Sequence, residues 1–226
     1  MLVVGFPAGA FQANCYLLAA EAGRECVIVD PGQGAEPGIE KALREHRLTP
    51  VAVLATHGHV DHVASAAAVA DTYGIAVHIR PEDRHLLSDP LAGLGPDLAS
   101  ALGPMTLTEP TSVVPLTERE LDLAGLRIAV DHTPGHTAGS VVFRLRSAEG
   151  GHLVLTGDTL FAGSVGRTDL PGGDPDALAV SLRTTLLPLA DDTVVLPGHG
   201  GATTIGRERA SNPFLPVDIQ NTEGTE

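Results

Sequence analysis

The chain has 226 residues, 43% of them apolar and only 3% aromatic, and it carries a formal net charge of −14. That length and apolar content suit a globular chain with one sizeable core built from Val, Leu, Ile and Ala. The acidic balance argues against a nucleic-acid or anionic-membrane surface, and no apolar run approaches the roughly 18 residues of a membrane span.

The N-terminus, Met-Leu-Val-Val-Gly-Phe-Pro, has no basic residue before Arg24, so no secretory signal is expected and the location expected is cytoplasmic. The first 31 residues read as β structure: Leu2–Gly5, Asn14–Leu18 and Cys26–Asp30, closed by Pro31-Gly32. Cys15 and Cys26 lie on neighbouring strands of this region. In a simple hairpin register they do not face each other, so two reduced, packed thiols are expected. Helical spacing covers about Pro37–His46, followed by a strand over 51–55 and an alanine-rich helix over about Ala64–Tyr73. A short strand, Ala76–Ile79, stops at Pro81.

Residues 88–118 break the periodicity. Pro90, Gly93, Gly95, Pro96, Gly103, Pro104, Pro110 and Pro115 punctuate them, with one short helix near Asp97–Leu102. Such a segment reads either as a lid or as a plain insertion. Strands then return at Leu121–Leu123, Leu126–His132, Ser140–Leu145 and His152–Thr156, separated by turn signals at Ala124-Gly125, Pro134-Gly135 and Glu149-Gly150-Gly151. Asp174 is placed to cap a helix running to about Leu186. Asp191–Leu196 is the last strand, a short helix covers Ile205–Ala210, and 216–226 read as a frayed polar tail. This order fits an α+β fold with two sheets packed face to face and helices outside, as a single domain over 1–226.

One stretch carries most of the chemistry: Thr56-His57-Gly58-His59-Val60-Asp61-His62. Residues two apart on an extended segment point the same way, so His57 and His59 can share one ion. Asp61 and His62 follow as the chain turns into a helix, and can serve a second. Three further candidates stand at strand ends, each directly after a glycine: His136, Asp158 and His199. A glycine lets the backbone approach closely and present the next side chain into a cleft. Imidazoles and carboxylates without thiolate suit zinc, iron or manganese. His46, His78, His85 and His152 read as surface or packed residues, and Asp131, Asp169 and Asp174 as turn or cap residues.

This motif set, in this order, resembles the metallo-β-lactamase superfamily. Within it, the run Gly157–Asp169 and the ending Thr204–Phe214 look like the glyoxalase II (hydroxyacylglutathione hydrolase) group, in its short single-domain bacterial form. The resemblance implies a four-layer αββα sandwich of two mixed sheets. It implies two divalent ions, zinc first, with iron or manganese as alternatives: one on His57, His59 and His136, the other on Asp61, His62 and His199, with Asp158 bridging. Asp30 matches a carboxylate behind the ligands that orients the loop, and His132 resembles a supporting position there. The implied reaction is hydrolysis of a 2-hydroxyacyl thioester of the S-lactoylglutathione type to a hydroxy acid and a free thiol, by a hydroxide held between the ions. Asp61 would accept the proton from water, and Arg167 would meet either a substrate carboxylate or a structural salt-bridge partner.

Too few residues follow His199 for the helical domain that binds glutathione in two-domain glyoxalase II enzymes. The thiol is therefore expected to be held by 88–118 or a partner subunit, or to differ from glutathione. The rival reading is a persulfide dioxygenase with one iron on two His and one Asp, a set that His57, His136 and Asp158 could supply. The partner expected is a small-molecule thioester, with no nucleic acid or membrane. Oligomeric state is left open.

Overall fold

The computed structural model describes residues 1–102, 105–147 and 150–215. Gly103 and Pro104 of the punctuated segment, Glu149 of one turn and the polar tail 216–226 lie outside the described residues. Strands β1 (Leu2–Ala8), β2 (Ala13–Ala19) and β3 (Glu25–Val29) form an antiparallel meander. Helix α1 (Glu36–His46) then crosses over to β4 (Thr49–Leu54), which runs parallel to β3. Helices α2 (Val60–Val63) and α3 (Ala66–Tyr73) lead to β5 (Ala76–Ile79), again parallel. After the short helix α4 (Pro96–Leu102), β6 (Val113–Pro115) completes a six-stranded sheet in sequential order.

The second sheet mirrors the first in size. β7 (Glu120–Leu123), β8 (Leu126–His132), β9 (Val141–Arg146) and β10 (His152–Gly157) run antiparallel. A two-stranded ribbon, β11 (Leu160–Phe161) and β12 (Ser164–Val165), follows, then α5 (Pro175–Ser181) with a π turn over Leu182–Leu186. β13 (Val194–Pro197) pairs in parallel with β10, β14 (Thr203–Thr204) adds to its outer edge, and α6 (Ile205–Ser211) follows.

Alternation along the strands decides the layering. Cys15, Leu17 and Ala19 of β2 pack in one cluster with Ile39 and Leu43 of α1 and Val69 and Ala70 of α3. The intervening Tyr16 and Leu18 pack in another, with Ile128, Phe143 and Leu155 of the second sheet. On the far side, Val142 and Val154 leave that central layer and pack with Leu178, Leu182, Leu186 and Ile205 of the outer helices. Successive side chains of a strand point to opposite faces, so strands that are apolar on every residue must be covered on both. The result is the α/β/β/α sandwich of two mixed sheets that the sequence implied. Each fully buried leucine of these layers contributes roughly 1.5–3 kcal/mol.

Most predicted elements stand within a residue or two of their expected places. The helix expected from Ala64 starts at Ala66 instead, because buried Ser65 gives its N–H to the Pro31 carbonyl at 3.0 Å and breaks the turn from α2. Strands β6, β11, β12 and β14 were not foreseen; at two or three residues each, they take their register from a neighbour rather than from a pattern of their own. Asp174 caps α5, accepting from the N–H groups of Asp176 and Ala177 at 2.9 and 3.0 Å. Cys15 and Cys26 are free and buried, and in the β2–β3 register Cys26 faces Ala19, not Cys15. Burial pushes both thiols up, that of Cys26 to about 12. Among the described residues, no helix is long and apolar enough to cross a membrane.

Candidate metal centre

The C-terminal ends of β3, β4, β10 and β13 meet at one edge of the sandwich, and the candidate residues leave the sheets there. Asp30 follows β3 with a left-handed φ of 51° and is 2% exposed. Its carboxylate accepts from the Thr56 N–H and the Thr56 hydroxyl, both at 2.7 Å, and from His62 Nδ1 at 3.0 Å. The loop bearing His57, His59, Asp61 and His62 is thus pinned to the end of the neighbouring strand. The His199 loop is held by the first sheet: Asn14 donates through Nδ2 to the Pro197 and Gly200 carbonyls at 3.0 and 2.9 Å, and the Tyr16 hydroxyl donates to the Pro197 carbonyl at 2.9 Å. Gly198 is required on steric grounds, since a Cβ there would overlap Asp158 Oδ1 and stand 2.7 Å from His62 Cε1.

The seven expected ligands converge. His57, His59 and His136 form one group, and Asp61, His62 and His199 another, with the donor atoms of each within 4.8 Å of one another. Asp158 stands between: its Oδ2 is 3.5 Å from His136 Nε2 and 3.5 Å from His199 Nε2, while Oδ1 is 3.3 Å from His62 Nε2. One carboxylate therefore reaches both groups. Asp61 Oδ2 lies 3.1 Å from His199 Nε2.

Hydrogen bonding settles which ring nitrogens face inward. His62 gives its Nδ1 proton to Asp30, and His136 gives its own to the Arg167 carbonyl at 2.7 Å. The Thr56 hydroxyl already donates to Asp30, so its oxygen is free to accept from His57 Nδ1 at 3.1 Å. Each of these rings is left with an Nε2 lone pair directed into the cluster. His57 Nε2 and Asp158 Oδ1 are buried without a hydrogen-bond partner, and His59 Nδ1 comes within 2.8 Å of His136 Nε2. Buried lone pairs and carboxylate oxygens at such spacing are costly unless something positive sits among them. The donor set fits divalent cations, and the outward hydrogen bonds are those that orient ligand imidazoles.

The charge balance agrees. Burial, with His62 and His136 next in weight, holds His57 well below the ordinary histidine range, and burial beside His136 brings His59 down to about 4. Burial works to raise Asp61 and Asp158, but the surrounding imidazoles, His62 foremost, hold both below the usual carboxylate range. Despite its burial, His62 is pushed up by Asp158 and Asp61; His199 is pushed up by its hydrogen bond to Asp61. The carboxylates thus favour positive charge beside His62 and His199, the role a bound cation would take.

One expectation is corrected. His132 is exposed, and its Nε2 lies 2.9 Å from the Ala138 carbonyl; it closes the turn around His136 rather than standing behind a ligand. Arg167 lines the cleft, but its guanidinium is bound bidentate to Asp169, with both contacts at 2.7 Å. Its backbone carbonyl, which holds His136, is the part that serves the cluster. The cleft over the cluster has a volume of about 370 Å³ and apolar walls from Phe11, Leu94, Leu98, Phe161, Val165 and Leu170. Leu94 and Leu98 come from the punctuated 88–118 segment, which therefore forms part of the wall.

Asp83 was not anticipated. It is 2% exposed and accepts from Gly58 N–H at 2.9 Å, Thr137 hydroxyl at 2.7 Å and Gly139 N–H at 2.8 Å. It clamps the His57–His59 loop to the His136 turn, and the sequence around it, Arg80-Pro-Glu-Asp, carries no sign of this. Asp83→Asn sets an amide N–H₂ against donors and is expected to weaken metal binding by about 10–100-fold while leaving the fold intact. Zinc titration alongside far-UV circular dichroism checks it; unchanged affinity would make the clamp purely structural.

The Metallo-beta-lactamase superfamily model matches residues 8–199. An uncharacterized protein of Mycobacterium tuberculosis is 52% identical over 219 residues, covering 95% of this chain and 98% of the relative. Hydroxyacylglutathione hydrolase GloC of Haemophilus influenzae is 37% identical over 211 residues, covering 92% and 95%. Among solved structures, BLEG-1 B3 metallo-beta-lactamase superposes with a TM-score of 0.83 at 39% identity, covering 95% of this chain and 99% of that one. TTHA1623, in a di-iron-bound form, gives 0.77 at 39% identity, covering 94% and 100%. ETHE1 from Myxococcus xanthus gives 0.74 at 27% identity, covering 94% and 84%. With the superfamily model spanning both sheets and every residue of the cluster, the chain belongs to the metallo-beta-lactamase superfamily.

Proposed function

We propose that the protein is a binuclear metal-dependent thioesterase that hydrolyses 2-hydroxyacyl thioesters of the S-lactoylglutathione kind to a hydroxy acid and a free thiol. The observation that carries this reading is the pair of complete ligand groups sharing Asp158. His57, His59 and His136 would hold one divalent cation and Asp61, His62 and His199 the other, with zinc as the first choice and iron as the alternative. When bound, two such cations supply an acidified water and Lewis-acid polarisation of a carbonyl. The chain's own residues do the rest. Asp30, Thr56 and the Arg167 carbonyl fix the imidazole tautomers, Asp61 accepts the proton at Oδ2, and the apolar wall keeps bulk water from the reacting bond.

A thioester suits these residues because its leaving thiolate, with a parent pKa of about 8.5, departs without a strong general acid. Among the described residues lining the cleft, the proton donors are those of the cluster itself. A β-lactam, suggested by the likeness to BLEG-1, expels an amine that needs a proton, and Asp158 already spans both groups. The likeness to GloC supports the thioester reading. A second reading, for which the likeness to ETHE1 is the reason, has His57, His136 and Asp158 holding a single iron that would supply a site for dioxygen, the oxidant of a persulfide substrate. The intact Asp61–His62–His199 group weighs against it.

The test is metal quantification on protein purified without added metal, with thioester, β-lactam and persulfide assays. Two ions per chain and thioester turnover that vanishes with chelator and returns with zinc or iron are expected. One iron per chain with oxygen uptake would reject hydrolysis.

A further inference from the structure

Within that thioesterase reading, on which the following rests, we infer that the thiol half of the substrate is uncharged and presents apolar surface. The polar floor of the cleft, formed by the cluster, takes the carbonyl and the 2-hydroxyl. A three-carbon hydroxyacyl group fills only a minor part of about 370 Å³. The remaining space is for the thiol half, and its walls are Phe11, Leu94, Leu98, Phe161, Val165 and Leu170. Phe11, on the tight turn between β1 and β2, is 43% exposed at the mouth, where an apolar ligand would cover it.

The charges point the same way. Arg167 is the one arginine or lysine among the described residues lining the cleft, and its Nε and Nη2 are paired with Asp169. A substrate carboxylate meeting the Nε–Nη2 edge competes with a carboxylate tethered two residues away. It must also approach a chain of net charge −14, whose field repels anions at long range. Glutathione carries two carboxylates and one ammonium group, and beyond the cluster the described walls of the cleft set one guanidinium, already paired with Asp169, against them. An uncharged thiol meets neither cost and gains contact with the wall.

The test uses metal-loaded protein and two matched series sharing one acyl-side group. The first is lactoyl thioesters of N-acetylcysteamine, pantetheine and glutathione; the second is the corresponding non-hydrolysable 2-hydroxypropyl thioethers, followed by calorimetry. The uncharged thiols are expected to lead glutathione by at least about tenfold in kcat/KM, mostly through KM, and in thioether affinity. Phe161→Ala and Leu98→Ala should each erode affinity for the uncharged compounds. Asp169→Asn, which frees Arg167, should lower KM for the glutathione ester and leave the uncharged esters nearly unchanged. Equal or tighter binding of the glutathione compounds, abolished by Arg167→Ala, would overturn the inference. Should the thioethers bind in the expected order while no thioester is cleaved, the hydrolase reading fails and the shape of the cleft stands. Turnover that prefers glutathione leaves the hydrolase reading standing and removes this one. No binding and no turnover removes both.

Discussion

Asp158→Ala is expected to strip both cations and abolish hydrolysis together. The Asp158 carboxylate is the one group within 3.5 Å of an imidazole nitrogen from each half of the cluster, and it also faces His62 Nε2 at 3.3 Å. Its loss leaves two cations facing five neutral imidazoles and Asp61 alone. Mutual repulsion in a buried, weakly screened site then opposes double occupancy. The fall in affinity should exceed the roughly 10–100-fold typical of losing a contact behind a ligand, since Asp158 would itself be a ligand. Plasma emission analysis of the purified variant, with thioester turnover on the same sample, reads both quantities. Two ions per chain in the variant would break the bridging assignment. Loss of one ion with activity retained would favour a mononuclear site.

Asp30→Ala should act on stability as well as on metal. Three hydrogen bonds converge on this carboxylate, from Thr56 N–H, the Thr56 hydroxyl and His62 Nδ1, all inside a site where Asp30 is 2% exposed. Alanine orphans all three donors, and breaking a buried charge-assisted network from one side costs about 3–5 kcal/mol. Alanine also tolerates the φ of 51° less well than aspartate, which visits the left-handed region more readily. Urea unfolding of chelator-treated protein should therefore show a large loss of stability even without metal. With metal present, the Asp61–His62–His199 group should weaken more than the three-histidine group, because His62 loses the acceptor that sets its tautomer. Asp30→Asn retains one acceptor oxygen and should cost less on both counts. Wild-type stability of metal-free Asp30→Ala would mean that water replaces the carboxylate, and that the network only orients the ligand.

The candidate ligands were legible in the chain because their signal is local. His57, His59, Asp61 and His62 announce themselves by spacing within one loop, and His136, Asp158 and His199 by standing after a glycine at a strand end. The strands were legible for a similar reason, since short apolar runs such as Cys15–Ala19, bounded by turn signals, suit a strand covered on both faces. For Arg167 the sequence allowed either a substrate carboxylate or a structural partner on the guanidinium. In the fold, Asp169 occupies it and the backbone carbonyl does the work. His132 misled through proximity in sequence: two residues before the Pro134-Gly135 turn, it bonds to Ala138 across the base of the turn instead of reaching a ligand.

The chain by itself determined which donors exist, in what order they occur and that they stand at strand ends, because residue type and spacing act over a few residues. Only the tertiary structure decided that Asp158 spans both groups, that Asp83 ties together loops whose bonded residues lie up to 56 positions apart, and that the cleft is walled by apolar side chains from four separate segments. The physical reason is that every residue owns a carbonyl and all but proline an N–H. Which of them meets a given imidazole or carboxylate is set by how the two sheets pack, and packing leaves no local mark on the sequence.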